Sequence, residues 1–511
     1  MSTVAPPFDE IDSLSLLAHK VAPRVFDLSS RQTNVSIRDQ MVRAQLLLRD
    51  LRKADPQASA VLVVGMGAAG MTAAMRACEE EFEQVCVVDV ASAPFALFKG
   101  VHSRHVGPFM YEWPSPFHGD QSYPSHEATP WSEFGQSPLK WTATDPVPAD
   151  TLRKQLMGSL RTWAATRRLL GQTIPIMRVR CNEATIREYV RAFAEHEGAR
   201  WQAEAGMAQL PRRPFRMGKG WGRAWRNFKH WTSWPAQIQP DYIILAAGMG
   251  KETDGLPERI RGLTPSFWAN DGLKHPTVAD HTVAVLGGGD GAMQDALRCL
   301  TVFDHPLSFI RHLEQVPVVQ HLLAQELPGL LSADRQMRQL GSWANSSRGH
   351  AMVDQACREA AYRLAASPGV RRQVLLALRQ GAGEVLLLVK GAHFDKAYLL
   401  NRFLIHLLIR VLQPGRERAE NEGGMGLTVQ FESEAFGLTP GPGAYNFLSI
   451  GPAGQAADQR KLVDQVVVRF GIQKDSIPGL QMIQITDPGL PGTNSRQRTT
   501  LSRVELPFVA M

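Results

Sequence analysis

Apolar residues fall into two kinds of pattern along this chain. Short continuous runs occur at Val61–Val64, Val85–Val88, Tyr242–Leu245, Val283–Leu286 and Leu307–Ile310. Runs of that length, bounded by Gly or polar residues, predict strands buried on both faces, as in a parallel sheet. Other stretches space their apolar residues for a helix. Met41, Leu48 and Leu51 share one face of Arg38–Lys53, which reads as a packing helix on a domain surface. Leu400, Leu404, Leu408 and Val411 share a face of Asp395–Leu412, which reads as a buried amphipathic helix with a core or dimer-contact role. Strands alternating with helices predict an α/β fold.

The glycines refine this picture. Ala60–Gly70 reads AVLVVGMGAAG, a strand running into Gly65, Gly67 and Gly70 and then a helix-forming segment. A second strand, Val85–Val88, ends at Asp89. Gly65 permits the tight turn, Gly67 admits a pyrophosphate to the backbone, and Gly70 allows close helix–strand packing. The amides at the helix start, Ala68 and Ala69 included, offer donors to the anion, and Asp89 can accept from ribose hydroxyls. A second unit, HTVAVLGGGDGA over His281–Ala292, repeats the pattern with Gly287, Gly289 and Ala292. Here the apolar run Leu307–Ile310 ends in Arg311, and a basic residue at that place suits the 2′-phosphate of NADPH. Asp290 stands inside the loop, where its carboxylate would face a pyrophosphate unless it turns away. Each unit is followed by a matching segment, DYIILAAG over Asp241–Gly248 and DQVVVRFG over Asp464–Gly471. The repeated order predicts an internal duplication.

Charge changes the picture only locally. The net charge is +7, with 56 Lys and Arg against 49 Asp and Glu. Seven of the basic residues (Arg212, Arg213, Arg216, Lys219, Arg223, Arg226 and Lys229) lie between Ala205 and Pro240, a stretch without an acid. The rest of the chain is balanced at 49 of each sign. The same stretch carries Trp221, Trp225, Trp231 and Trp234, and reads as a hairpin excursion that could meet a phosphate or an anionic partner. Nucleic acid is not expected to be the main partner. The five cysteines are scattered and form no Cys-x-x-Cys, which leaves a disulfide scaffold or thiol redox motif unsupported. No metal is expected, because the histidines form no His-x-His or His-Glu-x-x-His motif. No apolar run is long enough to span a bilayer, and a cytoplasmic location is expected.

The motifs Gly65/Gly67/Gly70, Asp89, ILAAG ending at Gly248, and Gly287/Gly289/Ala292 resemble those of flavoproteins with two dinucleotide-binding domains. That superfamily includes glutathione and thioredoxin reductases, flavin-containing monooxygenases and amine N-hydroxylases. The resemblance implies FAD at the first loop and NAD(P)H at the second. It also implies two Rossmann-like domains of the FAD/NAD(P)-binding type, with the basic Trp-rich insert in the first. The expected division is an N-terminal helical extension over 1–57, an FAD domain over 58–255, an NAD(P)H-binding-like domain over 256–475, and a tail over 476–511. Members usually close the flavin domain with a C-terminal strand and helix. The tail shows no such unit, although it can return to that domain.

The loop after Asp89 is dense in polar and aromatic residues. His102 and His105 are candidates to donate to flavin or peroxide, and Arg104 to hold an anionic substrate. The leading expectation is an NADPH-using flavin oxidoreductase, a monooxygenase of a small molecule. An FAD oxidase or dehydrogenase of amines or amino acids, and a non-catalytic module with an anionic partner, stay open as alternatives, as does a homo-oligomer.

Overall fold

A computed structural model describes residues 16, 19–28, 36–107, 113, 136–202, 215–216, 237–248, 250, 252–253, 255–256, 265–339, 348–395, 397–412, 424–443 and 445–472. The tail and most of the basic Trp-rich stretch lie outside the described residues.

The first half begins with β1 (Lys20–Ala22), β2 (Val25–Asp27) and helix α1 (Ile37–Ala54). The predicted strand–helix–strand unit follows as β3 (Ala60–Val64), α2 (Ala68–Glu79) and β4 (Gln84–Val88). The chain continues through β5 (His105–Val106), β6 (Val147–Pro148), α3 (Ala149–Leu169), β7 (Ile176–Arg178) and α4 (Glu183–Gln202). A short antiparallel pair, β8 (Phe215–Arg216) and β9 (Gln237–Ile238), spans the basic insert, and β10 (Tyr242–Leu245) completes the half. The sheet order is β1-β2-β10-β3-β4-β7, parallel except at β1. Alternate residues serve opposite faces. Val61, Val63, Val85 and Val87 pack with Met41, Leu48 and Leu51 of α1 and Met71 and Met75 of α2. Leu62, Val64, Cys86 and Val88 pack with Ile186, Val190 and Phe193 of α4.

The second half starts with β11 (Thr282–Leu286) and α5 (Asp290–Leu300). Four helices follow: α6 (Pro306–Glu314), α7 (Pro317–Gln339), α8 (Arg348–Ala365) and α9 (Pro368–Leu376). Then come β12 (Glu384–Leu388), α10 (Leu399–Leu412) and β13 (Gly426–Gln430). An antiparallel meander, β14 (Ser433–Pro440), β15 (Asn446–Pro452) and β16 (Gln459–Val463), precedes β17 (Gln465–Val468). The parallel sheet runs β13-β12-β11-β17. Helix α10 sits in the core of this half, with Phe403, Leu404, Leu407 and Leu408 fully buried.

The duplication shows at the level of register. Val64 pairs with Val88 and Leu245, and Leu286 pairs with Leu388 and Val468. Asp241 accepts hydrogen bonds from the Ser59 and Ala60 amides, and Asp464 accepts one from Thr282. Both halves leave the sheet between their third and fourth strands, the first through α4 and the β8–β9 pair, the second through the meander.

Two expectations need correction. The described part of the expected helical extension over 1–57 contains helix α1 but also strands β1 and β2, and it belongs to the first sheet unit. β2 joins β10 in parallel, with Val25, Phe26 and Asp27 opposite Ile243, Ile244 and Leu245, and α1 packs on α2. An open apolar edge on β10 would be a pairing hazard. The N-terminal strand β2 covers it. Leu307–Ile310 is likewise not a strand but part of α6. His305 caps that helix by accepting from the Leu307 amide, and Pro306 occupies its first turn. Leu307, Ile310 and Leu313 point inward together, a helical spacing hidden inside a short apolar run. The strand beside β11 is β12, reached only after α6–α9.

Candidate functional site

The candidate site lies at the carboxyl ends of β3, β10, β2 and β4. Its centre is the turn from β3 into α2. Gly65 has φ +108°, and a Cβ on it would stand 2.2 Å from the Ala246 carbonyl oxygen. A Cβ on Gly70 would stand 2.0 Å from the Gly65 oxygen. These two glycines set the turn and the helix contact. Gly67 differs: it is exposed, its φ is −71°, and nothing lies within 4 Å of where its Cβ would be. It stands at the N-cap of α2, and no side chain caps the helix. The amides of Ala68, Ala69 and Gly70 have no acceptor within the helix. An open backbone and a helix N-terminus together fit a pyrophosphate.

Asp89 ends β4 beside this turn. One carboxylate oxygen accepts from the Met66 amide at 2.5 Å and the other from Ala91 at 2.7 Å. Each oxygen keeps a second lone pair for a ribose hydroxyl. Past β10, Gly248 is exposed with φ +95°. Asp27, buried at the end of β2, completes the row of strand ends. Nothing in its local sequence marks it, because a three-residue strand carries no readable period.

The second turn is built alike. Gly287 has φ +136°, and its Cβ would stand 2.2 Å from the Arg469 oxygen. Gly289 is open, with nothing within 4 Å, and caps α5 without side-chain help. Ala292 takes the place of Gly70 and is fully buried. Asp290 turns away from the loop. Its Oδ1 accepts from the Tyr398 amide at 2.9 Å and from Asn401 Nδ2 at 2.7 Å, at the start of α10. Burial pushes its carboxyl up to about 7, against the pull of those hydrogen bonds and of Arg402.

The place of Asp89 is taken here by Val389. The Asp89 amide donates to Arg178 on the third strand, as Val389 donates to Gln430. Val389 faces Gly288, its Cγ1 2.8 Å from where a Cβ on that glycine would stand. Lys390 follows and pairs with Glu434 at 2.5 Å. Arg311, expected at this ribose position, stands instead on α6, ion-paired with Asp145. Its predicted role rested on a strand that is a helix.

The loop candidates divide. His102 is exposed, and its amide donates to Asn270 Oδ1 at 2.7 Å. His105 lies on β5, half-buried; burial lowers its pKa, with Asp304 opposing. Neighbouring His305 is pushed down to about 3, chiefly by burial. Arg104 cannot hold a substrate anion. It is 1% exposed, stacks 3.8 Å above the Phe267 ring, and binds Asp295 at 2.5 Å and the Phe267 carbonyl at 3.0 Å. Asp295 also receives Arg298 at 3.0 Å and Arg469 at 2.8 Å, and Asp271 binds Arg298 twice at 2.9 Å. This buried ionic cluster fastens the loop after β4 to α5 and to the end of β17. Trp113 also crosses over, stacking on Phe403 and donating to Glu314 at 3.0 Å. The described part of the loop is therefore a clasp between the halves.

None of the five thiols is poised for chemistry. Cys78, Cys86 and Cys357 are buried and pushed well up by desolvation, Cys299 is pushed up to about 12, and half-buried Cys181 is raised for the same reason.

No family model matches the chain, and no curated protein matches it. Among solved structures it is similar to bacillithiol disulfide reductase from Staphylococcus aureus, with 8% identity and a TM-score of 0.35 over 81% of this chain and 76% of that one. It is also similar to histamine dehydrogenase from Rhizobium sp. 4-9, with 8% identity and a TM-score of 0.28 over 82% of this chain and 35% of that one.

Proposed function

We propose that the chain is an FAD-dependent oxidoreductase that draws electrons from NADPH and acts on a small molecule as a monooxygenase. The observation that carries the reading is the duplicated turn. Gly65 sits under the Ala246 carbonyl as Gly287 sits under that of Arg469, each at the start of an uncapped helix in the same strand order. Two such turns in one chain suit two dinucleotides. We assign Gly65, Gly67, Ala68, Ala69, Gly70 and Asp89 to FAD, with Gly248 nearby, and Gly287, Gly289 and Ala292 to the pyridine nucleotide. The corresponding division is an FAD-binding and an NADPH-binding domain, joined by the Arg104–Asp295 clasp.

FAD supplies, when bound, a carrier that accepts a hydride and passes the electrons on. The chain's own residues bind the two pyrophosphates and orient the bound groups. NADPH fits better than NADH because Val389, directly after β12, stands where Asp89 stands after β4, so no carboxylate occupies the ribose position itself, and Lys390 beside it is basic. Thiol–disulfide exchange lacks a nucleophile in these cysteines, whose thiols desolvation holds protonated. Dioxygen is the acceptor we assign: one oxygen atom enters the substrate, the other leaves as water, and NADPH is oxidised to NADP⁺.

The test is the visible spectrum of the purified protein, before and after anaerobic NADPH. A flavin band that bleaches with NADPH, and less readily with NADH, supports the reading. A colourless protein that does not take up FAD would end it. The packing of Val389 on Gly288 motivates a second reading, in which the second turn is structural and an amine or amino acid reduces the flavin directly. Bleaching by such a substrate without nucleotide would decide for that alternative.

A further inference from the structure

We propose that dinucleotide binding at the second glycine turn is coupled to protonation of Asp290. The inference rests on the assignment of a pyridine nucleotide to that turn. Asp290 is the first residue of α5, directly after the open Gly289. A pyrophosphate drawn to this helix N-terminus meets the same few residues. An ionised Asp290 would add a like charge within the turn, and a protonated one would not.

The geometry shows how the neutral acid is tolerated. The carboxyl is turned inward, and Oδ1 takes both hydrogen bonds, from the Tyr398 amide and Asn401 Nδ2. Those donors remain satisfied when the acid carries a proton on Oδ2. The cation that acts on it, Arg402 on α10, spends its hydrogen bonds elsewhere: it donates to the Ala397 and His350 carbonyls and meets the His350 ring. On α5 the next charged side chain is Asp295, which is held by Arg104, Arg298 and Arg469. Across the turn, Lys390 is paired with Glu434. Burial already places the Asp290 titration near neutrality, at about 7. A bound phosphate shifts it further up, so a proton is taken up on binding.

The sign follows from linkage. Affinity is highest where free Asp290 is already protonated. It falls as pH rises through its titration, approaching tenfold per pH unit while the bound form keeps its proton. The second turn is thereby a proton-sensitive nucleotide site.

The experiment is isothermal titration of the full-length protein with NADP⁺ from pH 6 to 9, in two buffers of different ionisation enthalpy. Wild type is expected to take up close to one proton near pH 8, with affinity at least fivefold weaker at pH 9 than at pH 6.5. Asp290→Asn keeps an oxygen acceptor for Tyr398, and is expected to bind with a flat pH profile and no proton uptake. Equal slopes and equal proton uptake in the two proteins would overturn the linkage alone. No NADP⁺ binding by either protein at any pH would overturn the second-site assignment and the linkage with it. If the variant fails to fold, wild-type proton uptake still decides: none near pH 8 refutes the proposal.

Discussion

Asp295→Asn is expected to loosen the clasp between the two halves. Asp295 is fully buried and lies within 3.0 Å of nitrogens from three arginines: Arg104 at 2.5 Å, Arg469 at 2.8 Å and Arg298 at 3.0 Å. Asp271 pairs with Arg298 and Arg104 in the same cluster, so the wild type sets two ion-paired carboxylates against three guanidiniums. The variant leaves one carboxylate against three, and turns an amide NH₂ towards a donor. Breaking a buried ion cluster by removing one partner costs about 3–5 kcal/mol. The three arginines pull the Asp295 carboxyl far below the usual range, although desolvation opposes them. A depressed folded-state value means the stabilisation is complete above the unfolded value near 4 and lost only as pH falls through the acid range. The gap between wild type and variant is therefore expected to be constant from pH 6 to 9. The assay is urea unfolding followed by tryptophan fluorescence, read at the transition that also exposes the Val101–Val106 loop to protease. Adding Arg104→Met to Asp295→Asn should recover about 1–3 kcal/mol as coupling in a double-mutant cycle. A single-variant cost below about 1 kcal/mol, or a cost that varies strongly between pH 6 and 9, would refute the reasoning.

Five further outcomes are expected. Gly67→Ala should fold with an unchanged melting temperature, since its Cβ meets nothing within 4 Å, yet bind FAD at least tenfold more weakly in a flavin titration. Gly70→Ala should instead lower the melting temperature by several degrees, because its Cβ would stand 2.0 Å from the Gly65 oxygen. Arg311→Ala, which removes a pair with exposed Asp145, should leave the NADPH Kd within twofold, whereas Lys390→Ala should narrow the preference for NADPH over NADH by about tenfold. Phe26→Ala empties a fully buried site beside Tyr242 and should cost about 3–5 kcal/mol in urea unfolding.

What was legible in the sequence is what neighbours along the chain decide. The turns Gly65–Gly70 and Gly287–Ala292, their flanking strands and helices, and the two Asp-led strands β10 and β17 follow from local sterics, and all appear at the expected places. Helix α1 is likewise found at Ile37–Ala54 and α10 at Leu399–Leu412, because each repeats its apolar face over several turns.

Only the tertiary structure decided the rest. Strand β2 is three residues long, too short for any period, and exists because β10 offers it an edge. Leu307–Ile310 has the composition of a strand and becomes a helix because His305 and Pro306 start one against the core. In the sequence Asp290 stands inside its turn, and only the arrival of Tyr398 and Asn401, more than a hundred positions on, gives the carboxyl somewhere to turn. Arg104 looked like a ligand for an anion, and it has one: Asp295, 191 residues away. A local motif specifies the shape of a turn. Whether a charge near it faces a ligand or a buried partner depends on which distant segment the fold brings alongside, and that is set by burial and pairing across the whole chain.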